Sequence, residues 1–358
     1  MRVLRRLLLI SFLALLPLTP ATAADPLEVR VVIVTAFEIG DDSGDRAGEF
    51  QAWATITPDI LPFPAGYRHL RYDPASHVLL LSTGIGTNRA ATSTMALGQD
   101  PRFDLTHAYW IIAAIAGADP NRAPVGSAVW VGDVVDTDYG YAIDPREAPK
   151  GWTTGMFPRD RSAPYQGEHG DARYNLFPLN KGLRDWAFAR TGAITIPDQP
   201  ALRTIRAAYR AYPAAQQAPL VLRGAEASGQ TFWHGALLNS HVEKWVDYWT
   251  GGKDQFLVTA MEDTGVINAL AALGRIGRAD PDRLLVLRTA SNFSVPPTGT
   301  GAAESLAAEA KGLSALQPSL DAAFLIGLPI VTELAGNWSR YRDTVPGGPT
   351  RDHPVSSP

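Results

Sequence analysis

Short, near-continuous apolar runs recur along this chain, and each stops abruptly at small or polar groups. The first, VRVVIVTA at 29–36, is rich in β-branched residues, as a strand buried on both faces is. HVLLLS at 77–82, YWIIAAIA at 109–116 and the run at 127–135 repeat the pattern. Further strand candidates lie at 220–223, 255–260 and 284–289. The second run breaks at Thr83-Gly84-Ile85-Gly86-Thr87, and the third breaks at Gly117. Stretches with helical character lie at 88–97, 182–190, 200–212, 241–249, 264–274 and 302–316. Strands that alternate with helices predict an α/β fold with a mostly parallel or mixed sheet covered on both faces.

Segments without periodicity complete the outline. Residues 136–180 are rich in Gly, Pro, Tyr and Arg and too long for a plain connection, so a structured insertion or lid is expected. GDDSGDRAG at 40–48 is a short acidic loop after the first strand. The polar end, with Pro and Gly, reads as a disordered tail at 341–358. At the other end Arg2, Arg5 and Arg6 precede an apolar stretch at 7–18 and a small-residue site at Ala21-Thr22-Ala23. That is a secretory signal pattern, so residues 1–23 are expected to be removed and the product exported, periplasmic or extracellular. One domain is expected over 24–340, with no repeat and no dividing linker. No other run is long and apolar enough to span a bilayer, so the mature chain is not expected to be a channel or carrier by itself.

Composition removes several classes. Lys and Arg number 32 against 36 Asp and Glu, so no basic footprint argues for nucleic acid. The Cys count is 0, which excludes disulfides, cysteine nucleophiles and thiolate metal sites. No His and carboxylate cluster has metal-ligand spacing, and neither HExxH nor GxSxG occurs. No metal is expected.

Two polar breaks carry the chemistry. Met261-Glu262 ends one apolar run just before a helical stretch, and Ser291-Asn292 follows another. Polar groups at the carboxyl ends of buried strands are where open α/β sheets place ligands. A thioether beside a carboxylate suits a sugar, ring against sulfur and hydroxyls to oxygen. A carboxamide offers both a donor and an acceptor to a heterocycle. The pair resembles the ribose and base halves of a nucleoside site. Gly84 and Gly86 let backbone N–H groups approach an anion or sugar, or simply make a tight strand–helix turn. Gly117 is open to a similar reading, with close strand packing as the alternative. Glu38 and Glu49 flank the acidic loop, and either carboxylate is a candidate to hold or deprotonate water. Phe232, Trp233 and His234 offer stacking and an imidazole, or an aromatic core patch with one satisfied histidine.

Several segments together resemble one family. They are TAFEIGDDSGDRAGEFQAW, STGIGTNRAATSTMAL, GQTFWHG, VTAMEDTG and RTASNFSVPP, in that order along nearly the whole expected domain. This set is similar to the purine nucleoside permease (NUP) family, itself similar to the nucleoside phosphorylase and nucleosidase superfamily. The resemblance implies a mixed, partly barrel-like sheet flanked by helices. It implies that Met261 and Glu262 hold ribose, that Ser291 and Asn292 lie at the base, and that Gly84, Gly86 and Gly117 belong to substrate-side turns. Glu49 matches the water-activating glutamate if the acidic loop is an insertion before it. Two departures bear on activity. Ile115 stands where the superfamily's phosphate turn usually has a serine, which argues against phosphate as cofactor. Asn292 stands where nucleosidases carry an aspartate, and an amide is no general acid. Implied partners are purine nucleosides, a membrane transporter and, as is common in the superfamily, a second copy of the chain. Hydrolysis, phosphorolysis and non-catalytic capture all stay open.

Overall fold

Five strands of one ten-stranded sheet close on themselves, and the other five extend that ring on two sides. In the computed structural model of the chain, residues 25–309 and 315–348 are described. The strands are β1 (Val31–Thr35), β2 (Asp59–Leu61), β3 (Leu70–Asp73), β4 (Val78–Ser82) and β5 (Tyr109–Ala118). They continue as β6 (Ala128–Asp136), β7 (Leu176–Pro178), β8 (Val221–Ser228), β9 (Phe256–Ala260) and β10 (Leu284–Phe293). The ring runs β6–β8–β9–β5–β10 and back to β6. From β5 the sheet continues through β1, β4, β3 and β2, and β7 lines the far edge of β6. The expected α/β class with a mixed, partly barrel-like sheet is what the chain adopts.

The apolar runs are continuous because both faces of these strands are covered. In β1, Val31 and Ile33 face one core, while Val32 and Val34 face another. Helix α1 (Phe50–Ala54) and α8 (Leu316–Gly336) cover the first face through Trp53, Ile326, Ile330 and Leu334. Helices α2 (Thr87–Gln99) and α6 (Asp263–Arg275) cover the second through Leu97, Leu270 and Leu273. The remaining helices are α3 (Lys181–Thr191), α4 (Pro200–Arg206), α5 (Ala236–Thr250), α7 (Ala302–Glu309) and α9 (Trp338–Tyr341).

Several sequence expectations need correction. The run expected to break at Gly117 continues to Ala118. The strand expected to stop at 289 runs on to Phe293. It does so by a register shift between Ala290 and Asn292: Ala290 faces Ala116 and Asn292 faces Gly117, with Ser291 as the extra residue. Such bulges re-aim side chains beside functional sites. The helix expected over 200–212 ends at Arg206. Strands β2, β3 and β7, and the long helix α8, carried no clear sequence signal.

The segment at 136–180 is a structured insertion. It carries a small antiparallel pair, Tyr141–Ala142 against Met156–Phe157. It docks on α5, where the Tyr165 hydroxyl lies 2.5 Å from His241 Nδ1. The expected signal at 1–23 lies outside the described residues, as do 349–358 of the expected tail. The part that is described is packed: Tyr341 is buried, and Arg283 donates to the carbonyls of Tyr341 and Arg342 at 3.0 and 2.7 Å.

Candidate functional site

The ring brings distant segments together at one point. β9 meets β5 only where both strands end, Val258 opposite Ala118 and Thr259 opposite Gly117. β10 delivers its bulge to the same place. A cavity of about 270 Å³ opens there. Its apolar wall includes Ala36, Phe37, Ile85, Ile115, Ala116, Phe232 and Trp233, and its polar groups include Glu49, Glu262, Ser291 and Asn292.

Glu49 stands at the N-cap position of α1 without capping it. Its backbone N–H donates to the Phe37 carbonyl at 3.0 Å, which turns the side chain inward. The carboxylate accepts from Ala36 N–H at 2.6 Å and from Ile115 N–H at 2.7 Å, tying the ends of β1 and β5 together. Burial pushes this carboxyl up to about 7; the Arg288 charge opposes the rise and the Glu262 charge adds to it. A carboxyl poised near neutrality can hold a proton or take one.

Glu38, the other acid beside the loop, has a different task. It accepts from Ile39 N–H at 2.8 Å, from Gly48 N–H, and from Gln51 N–H at 2.7 Å. It therefore clasps both ends of the acidic loop and the first turn of α1. The loop is also pinned from outside: Asp42 pairs with Arg68 at 2.7 Å, His69 at 2.7 Å and Arg71 at 2.8 Å.

Glu262 begins α6 and is fixed from two sides. It accepts from Gly86 N–H at 2.9 Å and from Arg288 Nη2 at 3.1 Å. Gly86 needs its glycine: φ is +95°, and a Cβ there would meet Gln230. The next residue, Thr87, donates its hydroxyl to the Met261 carbonyl at 2.8 Å. The glycine turn thus acts through Glu262 and Met261. Asn292 lies against Gly117, where a Cβ would come within 3.5 Å of its Nδ2. Ser291 Oγ sits 3.2 Å from Asn292 Oδ1 and orients the carboxamide.

The cavity therefore gathers Glu49, Gly117, Phe232, Trp233, Met261, Glu262, Ser291 and Asn292. Gly84, Gly86, His234 and Glu38 do not line it. His234 instead faces α7, its Nε2 3.0 Å from Ser305 Oγ, and burial holds its pKa below the usual value. Gly84, at φ +82°, is enclosed by Tyr67 and Arg89.

Sequence reasoning missed Arg288. It is fully buried, donates to the Ile115 carbonyl at 2.8 Å, and forks onto Asp263 as well as Glu262. An arginine inside an otherwise apolar strand was the available signal, because such a charge is rarely buried unpaired. The set makes a site suited to a neutral ligand with hydroxyls at one end and a flat polar ring at the other.

The closed mixed sheet with this pocket at its strand ends defines a protein of the nucleoside phosphorylase and nucleosidase fold. Solved structures agree on the fold. One is a 5′-methylthioadenosine/S-adenosylhomocysteine nucleosidase from Colwellia psychrerythraea, solved with adenine: TM-score 0.50, 17% identity, 89% of this chain and 97% of that one covered. Another is a mutant nucleosidase from Helicobacter pylori with 5′-methylthioadenosine in its active site: TM-score 0.50, 14% identity, 85% and 99% covered. Within that fold the chain belongs to the purine nucleoside permease (NUP) family, which matches residues 28–346. It is similar to a purine nucleoside permease of Candida albicans, 26% identical over 322 residues, covering 88% of this chain and 77% of the relative. A probable purine nucleoside permease of Schizosaccharomyces pombe is 24% identical over 354 residues, covering 93% and 98%.

Proposed function

We propose that this cavity binds purine nucleosides, that the chain serves their uptake, and that it cleaves the N-glycosidic bond with water. The observation that carries the reading is that Glu49, Glu262 and Asn292 line one cavity although they come from three separate segments. Glu262 accepts from ribose hydroxyls while Met261 packs on the sugar. Asn292 bonds the base across from them, and Phe232 or Trp233 stacks on it.

In the cleavage step, Glu49 takes a proton from water as the water oxygen bonds to C1′. The C1′–N9 bond breaks and its electron pair leaves with the base. Glu262 stabilises the positive charge that develops on the ribose. Asn292 donates a hydrogen bond to the departing base, which then draws its proton from solvent. Ile115 favours water over phosphate: its side chain offers no donor, and its N–H is already engaged by Glu49.

A second reading is capture without turnover. It is favoured by the amide at 292, which cannot protonate a leaving purine. In both readings the working chain is the exported product lacking residues 1–23, and a separate membrane protein moves the solute.

Incubation with a panel of purine nucleosides, with and without phosphate, tests the proposal. Free base is expected at equal rates in both conditions. Base released only with phosphate points to a phosphorylase. Tight calorimetric binding without release points to capture, and absence of binding ends the nucleoside reading.

A further inference from the structure

Behind Glu262 lies a buried cluster, Glu226, Asp263 and Arg288, that does not line the cavity. Glu226 sits on β8 immediately after a register shift at Ala225. It is 0% exposed, no donor reaches either carboxyl oxygen, and its side-chain hydrogen-bond contact is with the Asp263 carboxyl. The charged groups facing it come from two other elements. From β10, Arg288 places its Nε 3.7 Å from Glu226 Oε2. From the start of α6, Asp263 and Glu262 both act on it. Asp263 is also 0% exposed and engages two nitrogens of the Arg288 guanidinium. Glu49, further along, feels the charges of Arg288 and Glu262.

One guanidinium cannot offset the carboxylates of Glu226, Asp263, Glu262 and Glu49 where water is excluded. Some of these groups must carry protons. Asp263 and Glu262 both accept directly from Arg288. Glu226 accepts from nothing.

We propose that Glu226 is a positioning residue for the ribose end of the site: as the neutral acid, turned toward Asp263, it leaves Arg288 free to fork between Asp263 and Glu262. This rests on the reading that Glu262 grips the sugar. Burial, with the adjacent Asp263 charge second, holds the Glu226 carboxyl well above the usual range. An ionised Glu226 competes with Asp263 for the guanidinium at Nε, and the shifted guanidinium carries its Nη2 off Glu262. Glu262 then keeps only the backbone N–H groups of Gly86 and Met261 and turns away from the sugar.

The test compares the wild-type chain with Glu226→Gln, which is neutral and keeps a donor, and Glu226→Leu, which has none. Calorimetry with a purine nucleoside at pH 7 should give a dissociation constant for Glu226→Gln within about threefold of wild type. Glu226→Leu should weaken binding about tenfold or more, the usual scale for a lost hydrogen bond to a buried charge. Equal, large losses in both variants overturn the proposal, because the negative charge would then be what matters. Unchanged binding in both overturns the positioning role.

A second measurement needs no nucleoside. A proton held in the native state but not in the unfolded chain makes stability fall as pH rises above the unfolded value. The wild type should therefore lose about tenfold in its folding equilibrium per pH unit relative to Glu226→Gln, from about pH 4.5 upward. Parallel stability profiles overturn the neutral acid. If the wild type binds no nucleoside, the proposed function fails by itself, and the stability profiles still decide whether Glu226 carries a proton.

Discussion

Glu49 and Glu38 are eleven residues apart and resemble each other in sequence, yet one faces the cavity and the other holds a loop. Which acid turns inward depends on the course of the loop between them, and local pattern does not encode that course. The Met261-Glu262 and Ser291-Asn292 pairs were legible because each interrupts an apolar run. Arg288 was not, because its carboxylate partners come from separate elements and meet only in three dimensions. The Glu49 carboxyl yields a prediction with a definite sign. Its pKa in the fold is raised from 4.5 to about 7. A base must be ionised to take a proton, so base release should climb through about pH 7 and level off above it. The same raised pKa makes stability fall between about pH 4.5 and 7, by on the order of 3 kcal/mol in total. Glu49→Gln should lower base release by roughly 10²–10⁴-fold and remove the pH-dependent climb. Rate profiles and denaturant unfolding across pH 4–9 check both. A Gln variant that keeps the wild-type climb assigns the titration to another group.

Helix α8 shows at the element scale why periodicity failed. Its sequence, LQPSLDAAFLIGLPIVTELAG, carries Pro318 and Pro329, which read as breaks. Pro318 falls in the first turn, where the missing N–H costs nothing. Pro329 lies inside the helix and is exposed, and the helix persists because Ile326, Ile330 and Leu334 are buried beside it. Packing overrides the local preference here. The strand limits failed for a related reason. Polar Ser291 and Asn292 looked like an end, whereas β10 absorbs them with a bulge. The contact between α8 and α1 reaches the site through Gly327. A Cβ at that position would lie 2.8 Å from the Trp53 ring, and Trp53 is 1% exposed. Trp53 belongs to the short helix that Glu49 begins. Gly327→Val should therefore cost about 1–3 kcal/mol through overpacking. It should also weaken nucleoside binding, because a displaced Trp53 carries Glu49 with it. Thermal unfolding and calorimetry on one preparation test this. Full affinity in a clearly destabilised variant would show that α1 does not transmit the strain.

For the molecule as a whole, alternating strands and helices made the fold class readable, but the closing of the sheet was not. Ring closure depends on β9 running opposite to β5 and β6 opposite to β10 and pairing across long separations, and side-chain alternation within a strand is silent about its partner. Closure decides what the protein can do, because it turns strand ends into an enclosed pocket. It also bears on uptake. Among the described residues, Leu316–Gly336 is the one helix long and apolar enough to cross a membrane. Its apolar side is already spent: Ile326, Ile330 and Leu334 complete one of the two cores on the faces of the sheet. Drawing α8 into a bilayer would uncover Trp53 and β1 and unseat Glu49. The proposed function therefore divides the work, with recognition in this chain and passage in a membrane-spanning partner. Purified chain lacking residues 1–23 should bind a purine nucleoside with the same affinity in plain buffer and beside lipid vesicles. Vesicles reconstituted with this chain alone should take up radiolabelled nucleoside no faster than empty ones. Uptake above that background would mean that α8 leaves its seat against the sheet, and the pocket would then have to be rebuilt around a moving helix.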